Sequence, residues 1–155
     1  MSETNSIETS KYICFNLGVE KYAIPLLTVK EVIRVPELTP IPQTAPHFLG
    51  IMNLRGQVIS VMDLRKKLTI KESNSQETTV MILNFGKNQL GVMVDCVNYV
   101  VSITEADISE KPTVSSTQNT DYITGVYRKD NELILILDIA KALSVEELRQ
   151  IGMAS

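Results

Sequence analysis

The chain has 155 residues, of which 44% are hydrophobic and 21% charged, and its formal net charge is −3. This is the size and composition of one globular domain. The slightly acidic balance, together with the lack of an apolar run of about 18–20 residues, argues against nucleic-acid binding and against direct insertion into a membrane.

The N-terminal part of the chain predicts a tail followed by a hairpin. Residues 1–10 are polar and lack an apolar signal core, so we expect a flexible tail that does not direct export. One domain is expected over residues 11–150, built from two interleaved β-barrel subdomains. Tyr12–Leu17 and Lys21–Ile24 are apolar runs on either side of Gly18, which is typical of a buried β-hairpin.

The next segments predict a helical turn, a proline-rich connection and a strand that leads into a helix. Thr28–Arg34 has apolar residues at helical spacing and predicts a short helix. Val35–Pro46 contains four prolines and must be extended or looped. Gln57–Met62 has a strong strand pattern. Asp63 follows it and is a preferred helix N-cap, so a short helix is expected over Leu64–Leu68.

The second half of the chain predicts a similar order of elements. Val80–Leu83 and Leu90–Val94 predict a second hairpin, and Glu132–Leu137 predicts a strand that leads into a second N-cap, Asp138. Ser144–Glu147 has the spacing of a capping box and predicts a C-terminal helix. Two polar segments are predicted to be a linker and a mobile loop: Thr69–Thr78 and Ser109–Asp121.

This similarity is an internal repeat. Lys11–Ile33 aligns with Thr79–Val101 at a shift of 68 residues and without a gap. Phe48–Leu68 aligns with Ile123–Leu143 at a shift of 75. Two segments in the same order, at nearly equal spacing, predict two similar subdomains in one unit. Short strands with few helices favour small antiparallel barrels.

The sequence offers little for catalysis or metal binding. The single histidine, His47, has no companion base nearby in sequence, and an exposed loop histidine is the expected reading. Cys14 and Cys96 lie in apolar runs without companion ligands, which predicts buried thiols and no metal site. No phosphate-binding glycine motif occurs. An enzyme built on His47 with Asp63 or Cys14 is the weaker alternative.

The repeat helps to separate residues that the fold needs from residues that serve function. The Asn53–Gly56 turn aligns with Arg128–Asn131, so the second copy turns with Asp-Asn and needs no arginine at the position of Arg55. Glu31 aligns with Tyr99. Arg55 and Glu31 each occur in one copy only and are therefore candidates for binding a partner.

Three stretches also resemble a known family. They are LLTVKEVIRV at 26–35, IPQTAPHFLGIMNLRGQVISVMDLRKKL at 41–68 and GVMVDCVNYVVSI at 91–103. Their most specific part is the NLRG turn followed by an apolar strand and Asp-Leu-Arg. On these residues the chain resembles the bacterial chemotaxis coupling proteins of the CheW family over about residues 11–150. It carries no receiver or histidine-kinase domain, so a free-standing coupling protein is expected.

The resemblance implies a fold and a class of activity. The implied fold is mainly β: two SH3-like five-stranded β-barrel subdomains packed about a shared core, with short helices and a C-terminal helix. The implied activity is that of a non-catalytic adaptor of two-component signalling, with no cofactor and no metal.

The resemblance also implies two protein partners in the cytoplasm, at receptor arrays on the inner face of the membrane. The cytoplasmic tip of a methyl-accepting chemoreceptor is expected to contact Arg55, Glu31 and Val29. The regulatory domain of a CheA-type histidine kinase is expected on an exposed apolar end of the first subdomain, including the proline-rich connection, at residues that the sequence does not specify. The alternative is a coupling protein of a parallel chemosensory pathway, such as type IV pilus control.

Overall fold

The computed structural model describes residues 9–42, 46–70, 79–110, 121–144 and 147. These residues form strands β1 to β11 and two one-turn helices, α1 and α2. The strands are Thr9–Leu17, Glu20–Pro25, Val29–Arg34, Phe48–Leu54, Gln57–Asp63, Thr79–Phe85, Asn88–Val94, Cys96–Thr104, Ile108–Ser109, Ile123–Lys129 and Glu132–Leu137. The helices are Leu64–Lys67 and Ile139–Ala142, and short 3₁₀ helices cover Leu26–Thr28 and Glu105–Asp107.

The described strands form two sheets. A five-stranded sheet has the order β3-β6-β7-β5-β4, and a six-stranded sheet has the order β8-β1-β2-β11-β10-β9, in which β9 has only two residues. We call them the first and the second subdomain. The mainly β class with two β subdomains is thus confirmed. None of the described helices is long and apolar enough to cross a bilayer.

The subdomains do not coincide with the sequence repeats. Strands β3 to β7 are consecutive and make the first subdomain, whereas β1 and β2 join β8 to β11 in the second. Each third strand therefore leaves its own hairpin and pairs with the first strand of the other copy: β3 with β6, and β8 with β1. Within the described residues the chain passes between the sheets twice, at Leu26–Thr28 and at Asp95.

The pairing register bears out the repeat. Asn16 pairs with Lys21, and at a shift of 68 Asn84 pairs with Gln89. Each of these hairpins has a two-residue loop that starts with a glycine at positive φ, 63° at Gly18 and 65° at Gly86. Such loops match the twist of the strands and favour glycine.

Two expectations about local structure were wrong. Val29–Arg34 is not a helix but strand β3, with a bulge between Val29 and Glu31. Its β-branched residues suit a half-buried strand, and pairing with β6 overrides the helical spacing. The tail is also shorter than expected, because Thr9 and Ser10 already pair with Thr104 and Ile103 in β1 and β8.

Other expectations fall outside the described residues. They concern residues 1–8 of the tail, most of the linker and of the polar loop, and the C-terminal helix beyond Glu147.

The largest hydrophobic cluster lies between the two sheets. Phe15 and Leu137 contribute to it from the second subdomain, and Met62, Leu83 and Leu90 contribute from the first. Each subdomain has in addition a smaller cluster of its own, around Cys14 and Ile134 in the second and around Val61 and Ile82 in the first. The expected shared core is therefore present, and it joins the subdomains into one unit.

Candidate functional site

Arg55 lies at the tip of the β4–β5 hairpin in a backbone conformation that does not suit arginine. Its φ is 51°, and φ at the following Gly56 is 87°. The equivalent residue of the second copy, Asp130, has φ 55°. Aspartate and asparagine tolerate this left-handed region better than a long side chain does. The backbone of the turn therefore does not require an arginine. This supports a binding role for the Arg55 side chain.

The guanidinium of Arg55 forms an ion pair with Glu31 on β3. Arg55 Nη1 is 3.0 Å from both Glu31 Oε1 and Glu31 Oε2. The side chain of Arg55 is 69% exposed, and that of Glu31 is 24% exposed. Among the described residues no partner engages Nε or Nη2, so these two donors of an exposed side chain are available to another acceptor. The structure thus brings together two residues that the sequence predicted separately.

This ion pair also closes the first subdomain. Strand β3 is at one edge of the five-stranded sheet and the β4–β5 hairpin is at the other. A contact between Glu31 and Arg55 requires the two edges to curl towards each other, as in a barrel. Exposed ion pairs contribute about 0–1 kcal/mol, so the pair orients the arginine more than it stabilises the fold.

The second copy closes in a different way. Tyr99 stands at the position of Glu31, and Lys129 Nζ lies 4.8 Å from the centroid of the Tyr99 ring. Lys21 Nζ is 5.5 Å from the same ring and 2.7 Å from Glu132 Oε2. The hydrogen bond to Glu132 raises the pKa of Lys21. A cation–π contact of Tyr99 therefore takes the place of the Arg55–Glu31 ion pair, because the counterparts of Arg55 and Glu31 are Asp130 and Tyr99.

Val29, the third predicted receptor residue, has a different environment. It is half-buried at the start of β3, pairs with Leu83 and packs against the shared core. The described contacts therefore join Arg55 to Glu31, while Val29 belongs to the apolar edge of the same strand.

Exposed apolar side chains on the first subdomain bear on the predicted kinase contact. Ile41, in the proline-rich connection, is 42% exposed, and Val58, on β5, is 69% exposed. The second subdomain also carries exposed apolar residues, of which Leu133 is the repeat counterpart of Val58. Single exposed apolar residues are common on protein surfaces, so exposure alone does not assign the contact.

Sequence reasoning missed a buried ion network at α1. Arg65 Nη1 is 2.7 Å from Asp95 Oδ1, and Arg65 Nε and Nη2 are 3.2 and 3.3 Å from the two oxygens of Asp63. Asp95 Oδ2 also accepts a hydrogen bond from Gly18 N at 2.6 Å. The network therefore ties α1 of the first subdomain to the β1–β2 turn of the second. The repeat contains a sequence signal for these two residues, because each occurs in one copy only: Arg65 aligns with Ala140 and Asp95 with Leu27.

The two predicted caps differ. Asp63 accepts a hydrogen bond from Arg65 N at 3.0 Å at the start of α1. Asp138 occupies the N-cap position of α2, but its side chain makes no capping hydrogen bond.

His47 belongs to a second network that the sequence did not reveal. It is mostly buried and its Nε2 pairs with Glu147 Oε2, so it is not the expected exposed loop histidine. Glu147 also accepts hydrogen bonds from Lys67 Nζ at 2.6 Å and from Ser144 N at 2.9 Å. Burial raises the pKa of Glu147, but the hydrogen bonds from Lys67, Ser144 and His47 outweigh it and lower the pKa to about 2.

These contacts bear on the expectations about chemistry. Glu147 N donates to Ser144 Oγ at 3.2 Å, which completes the predicted capping box. His47 therefore has a carboxylate partner at the C-terminal segment, and the described contacts do not join it to Cys14. Among the described residues, no cluster of His, Cys, Asp and Glu could hold a metal ion.

Comparison with known proteins identifies the family. The protein-family model of the CheW-like domain matches residues 11–147 of this chain. The chain belongs to this family. A CheW-like chain of this kind is a scaffold or adaptor protein and not an enzyme. The chain is 35% identical over 139 residues to the chemotaxis protein CheW of Klebsiella aerogenes, with 89% of this chain and 84% of the relative covered.

Two further similarities concern the structure and the pathway. The crystal structure of the scaffolding protein TtCheW from Thermoanaerobacter tengcongensis has a TM-score of 0.76 and 32% identity, covering 84% of this chain and 90% of that one. Protein FrzA of Myxococcus xanthus is 28% identical over 145 residues, with 92% and 90% of the two chains covered. Relatives with different names thus match most of this chain.

Proposed function

We propose that this chain couples chemoreceptors to a CheA-type histidine kinase in the cytoplasm, at receptor arrays on the inner face of the membrane. The observation that carries the proposal is the Arg55–Glu31 pair, which occurs in one copy of the repeat and leaves Nε and Nη2 of an exposed guanidinium without a partner in the part of the chain that the structure describes. Membership of a scaffold family supports it.

In this proposal Arg55, Glu31 and Val29 form the receptor-binding face. Glu31 holds one nitrogen of the guanidinium, and an acceptor near the receptor tip takes Nε and Nη2. Arginine suits such contacts because its planar fork donates several hydrogen bonds in fixed directions. Val29 supplies an apolar edge for receptor side chains. Binding energy at this face then favours one arrangement of receptor and kinase over another.

Capture of a purified receptor hairpin tests the role of Arg55. Arg55→Ala and Arg55→Glu should weaken binding at least tenfold while leaving thermal stability nearly unchanged. The exchange Glu31→Arg with Arg55→Glu restores an internal ion pair but moves the positive charge to β3. Restored binding in this double variant would mean that only the internal pair matters, and would contradict a direct contact. Lys129→Ala, which removes a positive charge next to the hairpin turn of the second copy, is the control.

The kinase contact is proposed on the exposed apolar residues of the first subdomain. Val58→Asp and Ile41→Asp should reduce binding of the kinase regulatory domain and leave receptor binding unchanged, because a charge in an apolar interface is costly to bury. Leu133→Asp places the same charge at the equivalent position of the second subdomain and is the matched control. Equal loss of kinase binding in Leu133→Asp and Val58→Asp would contradict the choice of subdomain.

A parallel chemosensory pathway is the second candidate. The similarity to Protein FrzA, a relative whose name does not mention chemotaxis, is the observation that favours this second candidate. Affinity purification of the chain from its own cells, followed by identification of the bound kinase, distinguishes the two. A kinase that controls flagellar motility supports the first candidate, and one that controls another output supports the second.

A further inference from the structure

A pocket of about 330 Å³ lies between the two subdomains, and its single charged lining residue among those described is Asp138. Its walls come from both sheets. Besides Asp138, the lining includes the apolar residues Ile24, Phe85, Ile139 and Ala140 and the polar residues Thr28 and Asn84. Most of these side chains are apolar, so Asp138 contributes one carboxylate to the lining of a largely apolar cleft.

The repeat shows what fills the equivalent place in the other copy. Asp138 and Ala140 align with Asp63 and Arg65. Arg65 extends from its helix across both oxygens of Asp63 and on to Asp95. Its side chain is only 7% exposed. In that copy the carboxylate is thus covered by an arginine that the chain itself supplies.

Neighbouring residues correspond as well. Thr28 and Asn84 line the pocket, and their counterparts are Cys96 and Asn16. Cys96 directly follows Asp95, and Asn16 O accepts a hydrogen bond from Asp95 N at 3.1 Å. The pocket therefore occupies the place where the other copy holds Arg65.

Two differences between the copies leave the pocket of the second copy open. Ala140 lacks the long side chain of Arg65, and Leu27, which replaces Asp95, is 96% exposed. The Asp138 side chain makes no capping bond to α2, and among the described residues it has no ion-pair partner. Among the described residues, Asp138 is therefore a half-buried carboxylate without a cation, in a cleft whose counterpart in the other copy is filled by Arg65.

We propose that this pocket binds an arginine side chain of a protein partner, which takes the place of Arg65 in trans. The guanidinium would pair with Asp138 and donate further hydrogen bonds towards Thr28 and Asn84. Its aliphatic stem would pack on Ile24 and Phe85. Arginine fits better than lysine because a planar fork can donate to several acceptors at once and its stem covers apolar surface. The proposal does not depend on the role of Arg55.

Titration with a small probe tests the pocket directly. The full chain, labelled with ¹⁵N, is titrated with N-acetyl-arginine amide and with the neutral isostere N-acetyl-citrulline amide. Binding should shift the amide signals of Asp138, Ile139 and Ala140 with arginine and much less with citrulline. Asp138→Asn should weaken the arginine interaction about tenfold or more. Asp130→Asn, at an exposed turn of the same subdomain, should leave it unchanged.

Filling the pocket from within tests whether partners use it. Ala140→Arg restores the residue of the first copy, so it should raise the melting temperature, abolish probe binding and weaken capture of the receptor or kinase fragment that supplies the arginine. Equal shifts with citrulline, or unchanged probe binding in Asp138→Asn, would overturn the arginine site. If Asp138→Asn captures the receptor fragment and the kinase fragment as well as the unmodified chain does, these partners do not use the pocket. Asp138→Asn is nearly isosteric and should fold normally. Its capture result therefore tests the use of the pocket even if Ala140→Arg folds poorly.

Discussion

Replacing Arg65 by alanine is expected to lower the free energy of unfolding by about 3–5 kcal/mol, the usual cost of breaking a buried ion pair from one side. The side chain of Arg65 is 7% exposed, and those of Asp63 and Asp95 are each 2% exposed. The substitution removes one cation and leaves two carboxylates buried beside each other. For a chain of this size that corresponds to a fall in melting temperature of about 6–20 °C.

Urea unfolding followed by circular dichroism measures the loss. Lys66→Ala, at the exposed neighbour on the same helix, is the control and should change the free energy of unfolding by less than about 0.5 kcal/mol. Arg55→Ala should also cost less than about 1 kcal/mol, because its ion pair is exposed. A loss below about 1 kcal/mol for Arg65→Ala would refute the reasoning that the network is a buried tie between the subdomains.

Coupling gives a second criterion for the same network. Asp95→Asn removes one of the two negative charges that Arg65 compensates, so in the Arg65→Ala background it relieves repulsion. The double variant should therefore cost clearly less than the sum of the single variants, by about 0.5–3 kcal/mol. Additive losses would mean that the two side chains act independently.

Three further predictions concern single residues. Acid should destabilise the fold between pH 4.5 and about 2, because the Glu147 carboxyl has a pKa of about 2 when folded against an ordinary 4.5. The loss is about 3 kcal/mol at most, and Glu147→Gln should flatten that part of a pH–stability curve. Gly50→Ala should cost more than about 1 kcal/mol in urea unfolding, because φ there is 142° and a Cβ would collide with Thr39 O. Asp63→Ala should lower the melting temperature more than Asp138→Ala does, because only Asp63 caps its helix and pairs with an arginine.

The internal repeat made most strands predictable, but it could not predict how they pair. Hydrophobic runs located both hairpins and the strands before Asp63 and Asp138. The pairing of β3 with β6, and of β8 with β1, depends on which sheet edges meet after the hairpins form, and that information is not local. Val29–Arg34 was mispredicted for the same reason, since a short apolar pattern fits a helix and a strand equally well until a partner strand is known.

The candidate site shows the same limit. Comparison of the two copies singled out Arg55 and Glu31, but their contact joins residues 24 positions apart and requires the sheet to curl. The same comparison would have singled out Arg65, which aligns with Ala140, but not its contacts with Asp63 and Asp95. Glu147 could not have been connected to His47 from the sequence, because 100 residues separate them and their contact depends on how the C-terminal segment packs.

The two crossings between the subdomains connect these observations. Leu26–Thr28 and Asp95 are equivalent positions of the repeat, so the subdomains are joined at two related points. Arg65 fixes the crossing at Asp95 by binding it together with Asp63, whereas the crossing at Leu26–Thr28 borders the pocket that contains Asp138. An arginine bound there would fix the second crossing as Arg65 fixes the first. A partner could then act on the orientation of the subdomains through the same chemistry that the chain already uses internally.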